Sequence, residues 1–252
     1  MKTVAIIQAR MGSTRLPGKV MMQLMDRSVL GHVINRLQQV KFIDEIIVAT
    51  STLQMDDVIE DEAIKCGVSV FRGSEQDVLS RYYEAAIRAN AEIIVRVTSD
   101  CPLIDPETTA LIIEAFLQSD LDYLTNKLVK TFPRGLDTEV FTMGALNEAY
   151  NKAVKPEQRE HVTPYIYQNP DQFKFNFYKG EVDHSQHRWT LDTPEDWELI
   201  SEIFKRLYHP GQIFSLNACL DLMDKHPELV EINRHIHQKE LDELKLEEEN
   251  SK

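Results

Sequence analysis

TVAIIQARMGSTRLPGK, residues 3–19, decides how the rest of the chain is read. It opens on the short apolar run TVAIIQ (3–8), which predicts a first strand buried on both faces rather than a signal peptide. The run empties into a loop holding Arg10, Arg15 and Lys19, although the formal net charge of the 252 residues is −13. A cationic turn at a strand end suits phosphates: Gly12 and Gly18 permit close backbone approach, and the three cations offset several negative charges. The competing reading is a surface turn with scattered basic residues. Two well-known phosphate patterns fail. For G-x-x-x-x-G-K-[ST], five residues rather than four separate Gly12 from Gly18, and Val20 stands where the metal-binding hydroxyl belongs. G-x-G-x-x-G is absent.

Working outward, short Ile- and Val-rich runs alternate with helical periods. EIIVAT (45–50), VSVF (68–71), EIIVRV (92–97) and DYLT (122–125) predict strands. SVLGHVINRLQQV (28–40) sets Val29, Leu30, Val33, Ile34, Leu37 and Val40 on one helical stripe, and 55–67, 77–90 and 106–118 also read as helices. The alternation predicts an α/β fold: a mostly parallel, Rossmann-like sheet covered by helices, with ligands beyond the carboxyl ends of its strands. The second half is more mixed. LDTEVF (136–141), FKFNFYKG (173–180) and HRWTLD (187–192) are strand candidates, 143–151 and 156–169 helix candidates, and TPED (193–196) a capped helix start. We expect one domain over 1–238, with a β-rich excursion in roughly 125–190 for acceptor binding and dimer contacts, and a charged tail, 239–252, that frays.

Composition narrows the class. The strong negative charge argues against a nucleic-acid or membrane-surface partner. No apolar run reaches the roughly 18 residues of a membrane span. Cys66, Cys101 and Cys219 show no metal-ligand spacing and read as reduced thiols of a cytoplasmic protein. Asp100 and Asp192 each end a strand candidate, so with the basic loop they could hold a magnesium ion on a nucleotide's phosphates. Alternatively, both are turn or capping residues.

QARMGSTRLPGK resembles the A-R-x-x-S-x-R-x-x-x-K loop of the sugar-acid cytidylyltransferases, the group that activates sialic acid and deoxy-octulosonate. VTSDCPLIDP (97–106) and LDTPEDWELI (191–200) look like their two metal-site aspartates. The wording FRGSEQDVLSRYYEA (71–85), RGLDTEVF (134–141), REHVTPYIY (159–167) and HRWTLDTPEDWE (187–198) is similar to the spore coat polysaccharide biosynthesis protein F type. The better-studied members often show S-G-T-[DE]-R where this chain has RGSEQDVLSR (72–81).

The resemblance, covering roughly 3–208, implies a nucleotide-diphospho-sugar transferase fold and an enzyme that joins CMP from CTP to a sugar acid of nonulosonic type. It implies Mg2+ on Asp100 and Asp192, with Arg10, Arg15 and Lys19 on the triphosphate. Ala9, Gly12, Ser13, Arg72, Gly73, Ser74 and Ser99 are expected around the nucleotide. Arg134, Asp137, Glu139, Glu160, His161 and Arg188 are expected around the acceptor, where an arginine suits a carboxylate and His161 either orients a hydroxyl, acts as base or is structural. A homodimer and a place in surface or spore coat polysaccharide synthesis are expected on the same ground. Two rivals remain: a nucleotidyltransferase using another nucleotide and sugar, and a sugar-nucleotide binding protein without turnover.

Overall fold

Thr3–Gln8 forms β1, with every residue from Thr3 to Ile7 buried. The structure is a computed structural model, and it describes residues 1–237; the tail 239–252 lies outside the described residues. After β1 come the hairpin strands β2 (Gln23–Leu24) and β3 (Arg27–Ser28), then α1 (Val29–Leu37), β4 (Glu45–Ser51), α2 (Asp57–Lys65), β5 (Ser69–Gly73), α3 (Val78–Arg88), β6 (Ile93–Thr98) and α4 (Pro106–Leu117). The second half adds β7 (Tyr123–Thr125), β8 (Glu139–Thr142), α5 (Met143–Lys152), α6 (Pro156–His161), α7 (Pro164–Tyr167), β9 (Phe175–Phe177), α8 (Pro194–Leu207), α9 (Leu216–Lys225) and α10 (Pro227–Glu231). The main sheet runs β5-β4-β1-β6-β8-β7-β9. β8 is antiparallel to both its neighbours and every other pairing is parallel, so the α/β, mostly parallel expectation holds.

Strand alternation splits the core in two. Val4 and Ile6 pack with Leu79, Tyr82 and Ala85 of α3 and Leu146 of α5 on one face. Ala5 and Ile7 pack with Val33 and Ile34 of α1, Ile59 of α2 and Ile112 of α4 on the other. A third cluster joins Leu136, Trp189 and Leu191 to Leu199, Ile200 and Ile203 of α8. Thr193 caps α8 as its sequence predicts: its side chain accepts from Asp196 N, Asp196 reciprocates, and Pro194 sits in the first turn.

Three sequence expectations need correction. HRWTLD is extended but is not a strand, because its one ladder contact is a single parallel bridge from Arg188 to Arg134. The 156–169 helix is broken in two: Val162 takes φ 71° and Pro164 starts α7 afresh. β9 also covers only 175–177, although Phe173 is buried as the alternation implies.

Gly135 holds the HRWTLD segment in place. Its φ is +105°, and a Cβ there would meet Trp189 C and O at 2.7 Å and Thr190 N at 2.8 Å. Gly135→Ala is therefore expected to destabilise the protein by at least about 2 kcal/mol, from backbone strain plus a clash with main chain. Urea unfolding measures this, and a smaller loss would show that the segment can move aside.

Candidate active site

β1 and β6 lie side by side, so the loop after Gln8 and the turn after Thr98 open on the same edge of the sheet. The basic loop is pinned from below: Met11 N donates to Asp56 Oδ1 at 2.8 Å, and Gly18 N to Met11 O at 3.1 Å. Gly18, at φ 69°, turns the chain so that Lys19 points back under the loop.

Lys19 is the hub. Its Nζ donates to Asp100 Oδ2, Asp192 Oδ1 and Leu191 O, each at 2.7 Å. The two carboxylates thus lie no further apart than twice that distance, though 92 positions separate them in sequence. A main-chain bond from Leu191 N to Asp100 O at 2.8 Å ties the two segments directly. Burial alone would lower the Lys19 pKa, but Asp100 and Asp192 outweigh it and hold the ammonium above its usual range. Burial would likewise raise Asp100, yet Lys19 and the Thr98 hydroxyl hold it below the ordinary carboxylate range. Asp192 Oδ2 accepts from Arg188 at 2.9 Å and forms an ion pair with Arg15 at 3.0 Å.

Two cavities meet at this point. One, of about 310 Å³, is lined by the loop residues Ala9, Arg10, Gly12, Ser13, Arg15 and Lys19, with Ser99 and Glu160. The other, of about 220 Å³, is lined by Arg96, Lys127, Arg134, Asp137 and Glu139. Asp100, Asp192, Arg15 and His161 line both. Arg10 lies 3.8 Å from Glu160 across the first cavity.

Glu139 forms the floor of the second cavity. It is 1% exposed, pairs with Arg96, accepts from Tyr123 Oη at 2.7 Å and Thr163 Oγ1 at 2.5 Å, and lies 3.4 Å from Lys127. Burial opposes its charge, but Lys127 and Arg96 prevail and bring its pKa down to about 2. Its folded value lies below the unfolded one of about 4.3, so its stabilisation is present above roughly pH 4 and is lost as pH falls toward 2. Glu139→Gln is expected to cost about 3–5 kcal/mol at pH 7 by stranding Arg96, and to flatten the stability decline between pH 4 and 2. Denaturant unfolding across that range reads both effects; an unchanged pH slope would contradict them.

Several expected residues sit elsewhere. Arg72 was placed beside the nucleotide, but its guanidinium turns to α2, donating to Ser51 O, Leu53 O and Glu60 and pairing with Asp57. The Ser74 hydroxyl accepts from Asp77 N in the turn before α3, and Gly73 backs Arg81 instead of facing the first cavity. Arg188 stands behind Asp192 rather than before an acceptor: its Nε donates to Asp196 Oδ1 at 2.9 Å, and Asn233 holds Asp196 from the far side. Conversely, Arg81 and Lys127 line the two cavities without having been singled out. Arg81 falls within the wording FRGSEQDVLSRYYEA, which is the one signal that could have found it.

The pair Asp100 and Asp192 fits a hard divalent ion. Both supply oxygen, and both already surround one cation, the Lys19 ammonium. Among the described residues no third His, Cys, Asp or Glu joins them in a metal-holding group, which leaves the remaining coordination to phosphate and water, as magnesium favours.

A cationic loop facing paired acids at the strand ends of an α/β sheet defines a nucleotidyltransferase. The chain belongs to the cytidylyltransferase family, whose sequence model matches residues 4–228. A cytidylyltransferase from Leptospira borgpetersenii serovar Hardjo-bovis has a solved structure that superposes with TM-score 0.88 at 39% identity, covering 95% of this chain and all of that one. Spore coat polysaccharide biosynthesis protein SpsF of Bacillus subtilis is 34% identical over 230 residues, 88% of this chain and 94% of that protein. A 3-deoxy-manno-octulosonate cytidylyltransferase of Solibacter usitatus is 28% identical over 244 residues, 81% of this chain and 95% of that enzyme. The likeness read from the motifs is thereby borne out, and the protein is an enzyme of this family. Among the described residues no helix is long and apolar enough to cross a membrane.

Proposed function

We propose that the enzyme transfers CMP from CTP to a sugar acid of nonulosonic type, with magnesium, and releases pyrophosphate for surface or spore coat polysaccharide synthesis. The observation that carries this reading is the junction: two cavities, one cationic and phosphate-sized, share Asp100 and Asp192. The activity in the Solibacter relative's name supports a sugar acid as acceptor, and the name of SpsF supports the polysaccharide setting; the nonulosonic type rests on the motif resemblance.

In the reaction a hydroxyl of the acceptor attacks the α-phosphorus in line. The new O–P bond forms as the bond from the α-phosphorus to the α,β-bridging oxygen breaks; the hydroxyl's proton passes to water, and charge grows on the departing pyrophosphate. Arg10 and Arg15 neutralise that charge from the loop, and Lys19 joins them when it leaves one of its two acids. Ala9, Gly12, Ser13 and Ser99 bring backbone and hydroxyl groups to the nucleotide. Bound at Asp100 and Asp192, Mg2+ would supply charge neutralisation for the phosphates. Arg188, bridging Asp192 and Asp196, fixes the second acid.

On the acceptor side, Arg134 offers a fork to the sugar's carboxylate and Asp137 accepts from a hydroxyl, while Glu139 anchors Arg96 and Lys127 beneath. The edge strand β9 is where we place the twofold contact of a homodimer, since it pairs on one side with β7 and its own Phe175 and Phe177 are only partly covered. The free thiols Cys66, Cys101 and Cys219 suit a reducing cytoplasm.

Pyrophosphate release from each of the four nucleotides, with a panel of 2-keto-3-deoxy sugar acids, tests the assignment. Release from CTP that requires one of the acids supports it. Equal use of UTP or GTP would favour a different donor, and CTP binding without product across the panel would favour a binding protein.

A further inference from the structure

Val162 holds the chain in a conformation that its side chain disfavours. Its φ is 71° and its ψ −58°, and Thr163 N donates to His161 O at 2.8 Å across it. That is a three-residue γ-turn of the rare, strained hand. Among the described residues two other non-glycines take a positive φ, Met25 and Asn90. Met25 lies in the tight loop between β2 and β3, and Asn90 follows the end of α3, both ordinary places for a left-handed residue. Val162 differs from both: it is β-branched, fully buried and stands between two helices. Thr163 continues the strain, since at φ −94° and ψ −11° it occupies a region that the following Pro164 disfavours.

Anchors on both sides keep the turn closed. Before it, Arg159 Nε donates to both oxygens of Asp77, at 3.0 and 3.1 Å, and Arg159 Nη1 donates to Tyr150 O at 2.8 Å. After it, Thr163 Oγ1 donates to Glu139 at 2.5 Å, and Ile166 N donates to Thr163 O at 2.9 Å. The Val162 side chain belongs to the core cluster that holds Tyr82, Tyr123 and Leu146. Strain of this kind persists only where the surroundings over-determine it, and it gathers at functional sites.

The residues just ahead of the turn are Glu160 and His161. Glu160 comes within 3.8 Å of Arg10 across the first cavity. His161 lines both cavities, and its ring makes no hydrogen bond among the described residues. Burial, then Arg96 and Lys127, bring its pKa down to about 4, so at neutral pH the ring is uncharged and offers one donor and one acceptor. We propose that Val162 is a positioning residue: its strained turn fixes the His161 ring at the junction of the cavities, where the ring hydrogen-bonds the acceptor and keeps its attacking hydroxyl in line with the α-phosphate. The inference rests on the transferase reading above. A relaxed turn would let His161 swing, and a misplacement of about 1 Å is enough to cost a large share of the rate.

Val162→Gly and Val162→Ala, made in the full chain, separate strain from packing. Both lose the buried side chain, but alanine keeps the Cβ that makes this φ costly and glycine does not. At an ordinary position glycine is the less stable of the two; here Val162→Gly is expected to melt at or above the temperature of Val162→Ala. Activity is expected to move the other way. With CTP, magnesium and an accepted sugar acid, kcat should fall about tenfold or more in Val162→Gly and less than about threefold in Val162→Ala, with the KM for CTP unchanged. His161→Ala alone should lose as much as Val162→Gly, and adding Val162→Gly to it is expected to remove less than a further factor of about two.

Val162→Ala leaves every anchor of the turn in place, so the comparison has a folded reference. A Val162→Gly protein that melts clearly below it, or fails to fold where it folds, would show that the turn holds no strain and overturn the proposal. Equal kcat in the two variants would deny the strain a role in transfer and overturn it too. A full further loss in the His161→Ala background would place the effect of Val162 on another group, and undiminished kcat in His161→Ala would overturn the proposal without any change at Val162. A wild type that transfers CMP to no sugar acid would overturn the transferase reading and the positioning role with it, whereas the melting order of the two variants bears on Val162 alone.

Discussion

Asp100→Ala is expected to reduce CMP transfer by about a thousandfold or more, with the fold retained. The expectation follows from where the carboxylate stands. It belongs to both cavities, so it acts where donor and acceptor meet rather than on one substrate. Interactions that strengthen as charge shifts from the α-phosphate to pyrophosphate act on kcat, and removing one charged group at such a centre commonly costs two to three orders of magnitude or more. The variant leaves Lys19 with Asp192 and Leu191 O, so its ammonium is not stranded. Steady-state kinetics with CTP and the accepted sugar acid measure the effect. A fall confined to the KM for one substrate would contradict the shared role.

The second large effect is on stability. Lys19→Met removes the cation between Asp100 and Asp192 and leaves two buried or half-buried carboxylates facing each other. Breaking a buried pair from one side costs about 3–5 kcal/mol, and the loss is expected at pH 7 in the absence of divalent ions. The sign with pH follows from Asp100. Its folded pKa is lowered, so the pair's contribution is present above the unfolded aspartate value of about 3.9 and is lost as pH falls through the folded one. The gap between variant and wild type is therefore expected to shrink below about pH 4. Magnesium should raise the melting temperature of the variant more than that of the wild type, because it meets Asp100 and Asp192 with no ammonium between them, Asp192 keeping only Arg15 and Arg188 on its outer oxygen. Equal melting shifts would show that the acids do not face a common ion.

The parts of this site that could be read in advance are those set by strand ends. TVAIIQ and EIIVRV read as strands of one parallel sheet, whose loops open at its carboxyl edge, and their pairing brings the loop after Gln8 to the turn after Thr98. Asp192 was readable for a different reason: the TPED cap fixes where α8 begins, and so where the preceding acid must stand. Side-chain direction was not readable. Arg72 and Arg81 lie in one stretch of wording, yet Arg72 turns out to α2 while Arg81 lines the first cavity. Only the packing of α2 and α3 on β5 decides between them. Arg188 misled for a related reason. The resemblance puts it on the acceptor side, close to Asp192 in sequence, whereas Asp196 and Asn233 draw it behind the acid. The alternation in HRWTLD predicted a strand, but Gly135 and Arg134 supply only one bridge to pair with it.

The most direct test of the account is manganese binding followed by electron paramagnetic resonance, with manganese standing in for magnesium at an all-oxygen site. In the presence of CTP the wild type is expected to hold manganese at least about tenfold more tightly than Asp100→Ala or Asp192→Ala, each variant losing a similar factor because both acids bind one ion. Unchanged manganese affinity in both variants would contradict the convergence of the basic loop and the two distant acids on a single nucleotide-bound cation.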